Sequence, residues 1–439
     1  MGAFDRERLA MLVQPDRVHR SVYADPAIFD LEMERVFGRA WLILGHESQL
    51  RAAGDYFTTR MGREPVIVVR QDDGTVAALL NRCAHRGSMV CAEARGHVER
   101  FVCPYHGWSY DRAGVLRAVP VPGGYGADAL AGQRLRAVPR VALYRGFIFA
   151  SLAASGPSLE DFLGPAHSSF DDLVDRAPGG EIEVAGGVFK HAYQGNWKLV
   201  LENHLDGMHP AHVHASSIAV ARGAPEPGGP GAENYFDITV RQMRQNGAPE
   251  SVWESTGLWT TPRGHGWMGD YHDDSRLLAG SGNPVFDEYG KRLAARAGDA
   301  EAARVLGVTR WNTIIYPNCS FMSQFRQLRI VHPVAVDRTV VHTYSFRMKD
   351  APPQMFRDTI AFSNVVNGTA SFVLTDDLEV YERVQRGLSS GAIDWVLLCR
   401  GFGKDQDEPD GTRRGGTGTS EVFARAQIGA WLDYMSADA

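Results

Sequence analysis

Two short motifs each offer one thiol and one imidazole. Cys83 and His85 form C-x-H, and Cys103 and His106 form C-x-x-H after seventeen intervening residues. Zinc fingers usually pair Cys with Cys and His with His. A Rieske [2Fe–2S] centre instead places two Cys on one iron and two His on the other. The paired motifs, within RCAHRG and CPYHGWSYD, therefore predict a Rieske cluster, with a structural zinc site as the alternative.

A second group of metal-ligand types lies further along the chain. Four histidines fall within eleven residues: His204, His209, His212 and His214. Because Pro210 disfavours continued helix, the chain is expected to turn there and let His209 and His214 converge. Two imidazoles and a carboxylate would form the facial triad of non-haem Fe(II), which leaves positions open for O₂. The predicted third ligand is Asp377, in LTDDLEVYERVQRGL, and its neighbour Asp376 is the alternative.

The residues around these histidines have predicted supporting roles. Asp206, three residues before His209, is expected to accept a hydrogen bond from a ligating imidazole and fix its tautomer, although it could itself bind metal. His204 and His212 are not predicted to bind metal. The Cys residues outside the motifs are expected to be small buried hydrophobes: Cys91, Cys319 and Cys399.

The elements that must position these residues change along the chain. A helix is predicted from Asp25-Pro26 onward, since Asp caps helices and Pro suits their first turn. Short strands follow, such as PVIVVR and TVAALL, which indicate an all-β region over 41–155. Helices are predicted at 196–205, within 355–388 and at 420–435, and strands at 312–316, 327–333 and 339–347. The stretches 223–231 and 405–419 are expected to be loops.

Composition excludes several classes of protein. The 439 residues include 46 Lys plus Arg against 52 Asp plus Glu, a net charge of −6, which disfavours a nucleic-acid binder. No run approaches the roughly 18 apolar residues of a membrane span. Five Cys are too few for a disulfide scaffold. The first twenty residues lack a secretory apolar core, so a cytoplasmic protein is expected.

The motifs resemble those of one family over nearly the whole chain. RCAHRG and CPYHGWSYD are similar to the cluster loops of the large (α) subunit of Rieske non-haem iron aromatic-ring-hydroxylating oxygenases. NWKLVLENHLDGMHPAHVH resembles that family's iron motif, and TDDLEVYERVQRGL the segment with the third ligand. VHRSVYADPAIFDLEMERVFGRAWLILGHESQ is most similar to the benzoate, anthranilate and salicylate branch.

The resemblance implies an α+β fold, with an all-β Rieske domain and a catalytic domain whose helices pack on a curved antiparallel sheet. We expect a helical segment at 1–40 packing on the catalytic domain, the Rieske domain at 41–155 and the catalytic domain at 156–439. Cys83, His85, Cys103 and His106 would hold the cluster. The iron ligands would be His209, His214 and Asp377, with Asn203 near the iron.

The implied chemistry is O₂-dependent hydroxylation of an aromatic ring, most simply cis-dihydroxylation. A separate reductase, with or without a ferredoxin, would pass electrons from NAD(P)H to the cluster. Asp206 would link a cluster His of one subunit to an iron His of the next. The family forms trimers, with or without a small β subunit. Alternatives are a Rieske monooxygenase or O/N-demethylase, an electron carrier without catalytic iron, and a zinc-stabilised binding protein.

The substrate is expected to be an aromatic carboxylate. Family pocket positions fall at Asn203, His204, Met208 and Val373. Arg329 and Arg386 lie in segments that can anchor the acid in relatives acting on such substrates, and a planar guanidinium suits bidentate carboxylate binding. Arg386 is the preferred anchor. Either Arg could instead form a structural ion pair, and for Arg329 the ion pair is the favoured interpretation.

Overall fold

The computed structural model describes residues 5–126, 128–224, 235–269, 283–308, 310, 312–323 and 325–437. The chain forms two compact units. One unit comprises Glu32–Leu159, and the other comprises Met1–Leu31 together with Glu160–Ala439. Most of the predicted loop at 223–231 lies outside the described residues.

The helices and strands are named here in chain order. The helices are α1 (Arg6–Ala10), α2 (Ser21–Ala24), α3 (Pro26–Arg35), α4 (Leu159–Leu163), α5 (Ser168–Asp175), α6 (Trp197–His204), α7 (His209–Val213), α8 (Ala215–Gly223), α9 (Tyr235–Asn246), α10 (Glu250–Ser255), α11 (Pro284–Ala297), α12 (Asp299–Leu306), α13 (Pro353–Val366), α14 (Leu374–Ser389) and α15 (Val422–Ser436). The strands are β1 (Val13–Gln14), β2 (Arg17–His19), β3 (Leu42–His46), β4 (Asp55–Met61), β5 (Glu64–Arg70), β6 (Val76–Leu80), β7 (Arg95–His97), β8 (Phe101–Val102), β9 (Ser109–Tyr110), β10 (Leu116–Ala118), β11 (Arg140–Tyr144), β12 (Phe147–Ser151), β13 (Ile182–Tyr193), β14 (Leu258–Thr260), β15 (Gly266–Met268), β16 (Asn312–Ile315), β17 (Cys319–Met322), β18 (Gln327–Ala335), β19 (Arg338–Met348), β20 (Trp395–Leu397), β21 (Gln406–Asp407) and β22 (Arg413–Arg414).

The unit at Glu32–Leu159 is built from small antiparallel sheets. In its described residues these have the strand orders β6-β5-β4-β7, β10-β9-β8 and β11-β12-β3. The predicted strands PVIVVR and TVAALL are confirmed as β5 and β6. They are joined by a tight turn in which Asp73 accepts a hydrogen bond from the Thr75 backbone, and Gly74 has a positive φ of 83°.

One apolar core of this unit lies directly under the Cys–His motifs. It contains Tyr56, Ile67, Val69, Leu79, Val90, Phe101, Trp108, Tyr110 and Leu135 together with the buried Cys83, Cys91 and Cys103. The two motif cysteines are therefore fixed by core packing, whereas the histidines that follow them lie nearer the surface. Burial of apolar area contributes about 25 cal/mol per Å², so this core anchors the loops firmly.

The larger unit is organised around a sheet of nine antiparallel strands among the described residues. The strand order is β13-β19-β18-β17-β16-β15-β14-β22-β21. Its interior strand β18 is nearly continuous in buried residues, as expected of a strand covered on both faces. The strands predicted at 312–316, 327–333 and 339–347 are confirmed as β16, β18 and β19.

Helices of this unit are anchored to one another by specific hydrogen bonds. Asn196 caps α6 by accepting from the Lys198 backbone, and its amide donates to the carbonyls of Tyr23 and Val336. Its own backbone N–H donates to Gln385 on α14. Through this one buried residue, α2, α6 and α14 are held in a fixed arrangement, which matters because α6 and α14 carry site residues.

The prediction of a plain loop at 405–419 is corrected by the structure. Strands β21 and β22 pair there as a hairpin, and β22 continues the large sheet by pairing with β14. An ion pair between Arg413 and Asp407 spans the hairpin at 2.7 Å. The strands are only two residues long and mostly polar, so their sequence carries no alternating apolar pattern. No helix in the described ranges has both the length and the apolarity needed to cross a bilayer.

Candidate active site

The two Cys–His motifs form turns with the same backbone hydrogen bonds. The carbonyl of Cys83 accepts from the Gly87 N–H at 3.0 Å, and the Cys83 N–H donates to the Ser88 carbonyl at 2.8 Å. The second turn repeats both distances between Cys103, Gly107 and Trp108. Gly87 and Gly107 have φ values of 73° and 68°, a region that favours glycine. Two equivalent turns thus present one thiol and one imidazole each.

Hydrogen-bonding groups surround the sulfur atoms of both motifs. The Tyr110 hydroxyl is 3.1 Å from Cys83 Sγ, and it accepts the Ala84 N–H, which leaves its own proton for the sulfur. Burial raises the pKa of Cys103, but backbone N–H groups of Tyr105 and His106 and the nearby Cys83 thiol outweigh burial and lower that pKa. Hydrogen bonds of this kind are the usual surroundings of cluster sulfurs.

The imidazoles of the two turns lie side by side. The ring centroids of His85 and His106 are 4.7 Å apart, and His85 stacks on Trp108 at 4.8 Å with nearly parallel planes. His85 Nδ1 is buried and has no hydrogen-bond partner among the described residues. A buried nitrogen without a partner is expected of a metal ligand in a structure that contains no metal. The four predicted residues therefore fit a [2Fe–2S] cluster.

Cys91 lies in the same core but plays no part in this set. The Asn81 side chain holds its loop by accepting from the N–H groups of Val90 and Cys91 and donating to the Cys91 carbonyl. Burial raises the pKa of the Cys91 thiol to about 11, so it stays protonated. This agrees with its prediction as a small buried hydrophobe.

In the larger unit, the second group comes from the ends of short helices. Helix α6 ends at His204, and α7 begins at His209 with Pro210 in its first turn. The sequence predicts that the chain leaves the helix and turns at Pro210. The turn instead comes before His209, and Pro210 lies in the first turn of the new helix α7, where proline fits. His214 lies where α7 ends and α8 begins. The helix ends therefore present His209 and His214 from opposite ends of α7.

Asp377 completes a compact set of three ligands. It lies in the first turn of α14, and ligand atoms of His209, His214 and Asp377 all lie within 4.8 Å of one another. Asp377 Oδ1 is 3.8 Å from His209 Nε2 and 3.5 Å from His214 Nε2. Two imidazole nitrogens and one carboxylate are the donors of a 2-His-1-carboxylate iron site, so the residues fit that metal.

A second carboxylate faces the other nitrogen of each imidazole. Asp206 Oδ2 is 3.7 Å from His209 Nδ1, and Asp376 Oδ2 is 3.4 Å from His214 Nδ1. Each carboxylate favours a proton on Nδ1 and leaves the Nε2 lone pair for a metal. Asp376, the alternative third ligand from the sequence, thus lies on the opposite side of His214 from Asp377.

Burial and charge act against each other in this site. Burial raises the pKa of Asp377 more than the positive charges of His209 and His214 and the Asn203 hydrogen bond lower it. For His209 the order is reversed: burial lowers its pKa, but Asp206 and Asp377 outweigh burial and raise it. Asn203 Nδ2 donates to Asp377 Oδ1 at 3.2 Å, which places the predicted Asn beside the ligand set.

A cavity of about 120 Å³ opens on these ligands. Its walls are largely apolar, formed by Val200, Phe325, Phe362, Val366, Val373 and Leu374. His204 and Arg329 also line it, with Asn203. Burial lowers the pKa of His204 well below its ordinary value, helped by the charge of Arg329, so this imidazole is neutral. The cavity can exclude water from a reactive centre while admitting an apolar ring.

Two predicted substrate residues lie elsewhere. Arg386 is 77% exposed and pairs with Glu382, one turn earlier on α14. It is nine residues from Asp377, about two and a half helical turns, and therefore lies on the opposite face of α14. Met208 lies between α6 and α7 and does not line the cavity. His212, which was not predicted to bind metal, is exposed.

Sequence reasoning misses the roles of several residues around the two sites. Tyr110 is part of CPYHGWSYD, but only the fold brings its hydroxyl to Cys83. Asn367 and Gln327, which hold Arg329, are 40 residues apart in the chain and carry no motif. The sequence predicts Asp376 as the alternative iron ligand. In the structure Asp376 instead faces Nδ1 of His214, on the side away from Asp377.

The two ligand sets, on an all-β unit and on a unit of helices and antiparallel sheet, define a class of two-centre iron proteins with an open mononuclear site. A family model described as "Rieske [2Fe-2S] domain" matches residues 40–136, and one described as "Ring hydroxylating alpha subunit (catalytic domain)" matches residues 181–413. The chain therefore belongs to the ring-hydroxylating dioxygenase α-subunit family, as the motif resemblance predicted.

Named relatives agree with this assignment. The chain is 34% identical to the toluate 1,2-dioxygenase α subunit of Pseudomonas putida, over 86% of this chain and 80% of that one. It is 32% identical to the 2-halobenzoate 1,2-dioxygenase large subunit of Burkholderia cepacia, over 93% and 86%. A naphthalene 1,2-dioxygenase variant with phenanthrene bound superposes with a TM-score of 0.82 at 26% identity, over 99% and 96%.

Family membership establishes the class of enzyme and its cofactors. The protein is an oxidoreductase that uses a Rieske [2Fe–2S] cluster and a mononuclear iron. As in the rest of the family, O₂ is the co-substrate, and electrons come from NAD(P)H through a separate reductase. The predicted fold class, with an all-β Rieske domain and a catalytic domain of helices and antiparallel sheet, is confirmed.

Proposed function

We propose that this chain is the terminal oxygenase α subunit that cis-dihydroxylates the ring of an aromatic carboxylate. One observation carries the proposal: His209, His214 and Asp377 open on a cavity whose exposed lining is mostly apolar and which is also lined by Arg329. The names of the toluate and 2-halobenzoate relatives, which denote dioxygenases of aromatic acids, support the same substrate class.

In this proposal the cluster is held by Cys83, His85, Cys103 and His106. The iron is held by His209, His214 and Asp377. When bound, these groups supply one-electron transfer and the activation of O₂ at open iron positions. The chain's own residues prepare the site. Asp206 and Asp376 keep protons on the Nδ1 atoms of His209 and His214, so that both Nε2 atoms remain free to ligate.

Other residues orient the carboxylate ligand and keep the site dry. The Asn203 amide donates to Asp377 Oδ1, the oxygen that faces both iron-site histidines, and so fixes the orientation of this carboxylate. Val373 and Leu374, at the start of α14, line the cavity, and Phe362 of α13 also lines it. A low-dielectric cavity strengthens electrostatic interactions within it and protects a reactive oxidant from water.

The partners proposed are those of the family. A reductase, with or without a ferredoxin, would deliver electrons to the Cys–His turns. The chain would assemble as a homotrimer or with a small β subunit, in the cytoplasm, and Asp206 would connect the cluster of one copy to the iron of the next. The relatives are named as α or large subunits, which supports a small β subunit as a partner.

The experiment is turnover under ¹⁸O₂. Purified protein, a surrogate reductase and NADH are supplied with benzoate, salicylate or a larger aromatic acid, and O₂ uptake and products are followed. The proposal predicts acid-dependent O₂ uptake and a ring diol with two ¹⁸O atoms. A product with a single ¹⁸O would instead identify a monooxygenase or demethylase. Absence of acid-dependent NADH and O₂ consumption, with both iron centres present, would refute the proposed substrate class.

A further inference from the structure

Arg329 is a buried cation whose hydrogen-bond contacts among the described residues are all neutral. Its side chain on β18 is 8% exposed, and its Nη2 donates to Asn367 Oδ1 at 2.8 Å and approaches Met322 Sδ at 3.5 Å. Its Nη1 is buried without a hydrogen-bond partner, and no carboxylate of the described residues is in contact with the guanidinium. Guanidinium groups remain charged in proteins. A buried charge without a counter-ion is strongly destabilising, so an anion from outside the chain is expected.

Two amide side chains fix the orientation of this guanidinium. Arginine only donates hydrogen bonds, so the oxygen of Asn367 must face it. The Asn367 nitrogen then donates to Gln327 Oε1 at 2.6 Å, and the Gln327 nitrogen is left buried without a partner. Since all three residues are more than nine-tenths buried, the guanidinium is held rigidly. Both atoms without partners, Arg329 Nη1 and Gln327 Nε2, are donors.

The Arg329 guanidinium and its Asn367 partner border the cavity that contains the iron ligands. Arg329 and Asn367 line the same cavity as His209, His214 and Asp377. Among the described carboxylates, the charge of Asp377 acts on Arg329, but Asp377 faces the two histidines and is not in contact with the guanidinium. The remaining cavity neighbours of Arg329 include His191 and His204, which are neutral and cannot serve as counter-ions.

We propose that Arg329, oriented by Asn367 and Gln327, binds the carboxylate of the substrate and is the residue that selects aromatic acids over neutral arenes. The inference rests on the proposed function of this site and names its carboxylate subsite. Arg329 Nη1 donates to the carboxylate, while the ring occupies the apolar part of the cavity. Asn367 and Gln327 are positioning residues, since they act through the guanidinium.

The size of the cavity limits the ring that accompanies the carboxylate. Its volume is about 120 Å³. An apolar cavity of roughly 150 Å³ binds one benzene molecule in an engineered protein core. A cavity of this order of size is expected to hold one ring, and the substrates inferred are monocyclic acids such as benzoate. Phe325 and Phe362, stacked with centroids 4.0 Å apart, form one part of the cavity wall.

The test compares two ligands of the same shape. Benzoate and benzamide are titrated calorimetrically into the oxidised holoenzyme without reductant, so that no turnover occurs. The wild type should bind benzoate more tightly than benzamide. Arg329→Met should weaken benzoate by about 10- to 150-fold, the range expected for a hydrogen bond to a charged group, and should weaken benzamide much less. Arg386→Met, an exposed arginine outside the cavity, is the matched control and should change neither affinity.

A second variant keeps the test valid if Arg329→Met does not fold. Asn367→Asp places a carboxylate against Arg329 without a change of size, and Gln327 can still pair with it through its nitrogen. This internal counter-ion should remove the preference for benzoate by at least tenfold. The proposal is overturned if the benzoate-to-benzamide ratio is unchanged in both variants. Because binding is measured without turnover, a wild type that prefers benzoate but forms no diol would refute the proposed function alone.

Discussion

Tyr110→Phe should lower the reduction potential of the cluster. The Tyr110 hydroxyl lies 3.1 Å from Cys83 Sγ, and the Ala84 N–H occupies its acceptor side, so its proton points at the sulfur. Burial raises the pKa of Tyr110, which keeps this proton in place. A hydrogen bond to sulfur stabilises the reduced cluster more than the oxidised one, because reduction adds negative charge to the sulfur.

The size of the effect follows from ordinary hydrogen-bond energies. A hydrogen bond to a charged group contributes about 1.5–3 kcal/mol. If about half of this depends on the added electron, the difference is roughly 0.75–1.5 kcal/mol, and for a one-electron couple that corresponds to a fall of roughly 30–65 mV. Phenylalanine retains the ring packing of this buried position, so the turn itself should be preserved.

The assay is a redox titration of the cluster followed by electron paramagnetic resonance. Tyr56→Phe is the matched control, since Tyr56 lies in the same core and its hydroxyl faces the thiol of Cys91, which is not a ligand. Tyr110→Phe should shift the potential downward, and Tyr56→Phe should leave it within about 10 mV of the wild type. Equal shifts in the two variants, or an upward shift in Tyr110→Phe, would refute the argument.

Three further predictions concern the larger unit. His265 is buried, donates from Nε2 to the Phe162 carbonyl and accepts the Tyr316 N–H, and burial lowers its pKa to about 4. Because the unfolded chain binds a proton near pH 6.5 and the folded chain only near 4, stability should fall as the pH drops, by about 2 kcal/mol between pH 7 and 5. In urea unfolding, the wild type should lose more unfolding free energy between pH 7 and 5 than His265→Gln does. Equal losses in the two proteins would contradict the prediction. Asp206→Asn keeps an acceptor for the Met208 N–H but loses the charge beside His209, so it should retain all three irons and lose most single-turnover product formation from reduced enzyme. A wild-type rate would exclude Asp206 as the link. Phe362→Ala should cost about 3–5 kcal/mol of stability and raise kcat/KM for 2-naphthoate relative to benzoate by about tenfold or more; an unchanged ratio would mean that Phe362 does not limit ring size.

The cluster motifs and the iron histidines could be predicted because each set is local. A spacing of one or two residues between Cys and His, or four between His209 and His214, already limits the geometry that a short turn can adopt. Asp377 required a resemblance, since it lies 163 residues beyond His214. No local sequence pattern predicts that the segments of His214 and Asp377 meet, because their contact depends on how the strands and helices pack.

The acid anchor illustrates where sequence reasoning failed and where it could have succeeded. Arg386 was preferred over Arg329, yet its separation of nine residues from Asp377 on one helix already places it on the opposite face. Arg329 shows no pattern in sequence, since its environment comes from Asn367 and Gln327 through contacts that only the folded sheet and α13 create. Buried polar clusters of this kind become visible only in three dimensions.

Quantification of iron and acid-labile sulfide per chain tests the central claim most directly, that one chain carries both metal centres on the residues named. The wild type should contain three irons and two sulfides. His209→Ala should lose one iron and keep the cluster spectrum, and Cys83→Ala should lose the two cluster irons and both sulfides. Zinc in place of iron, or an unchanged iron content in either variant, would contradict the account.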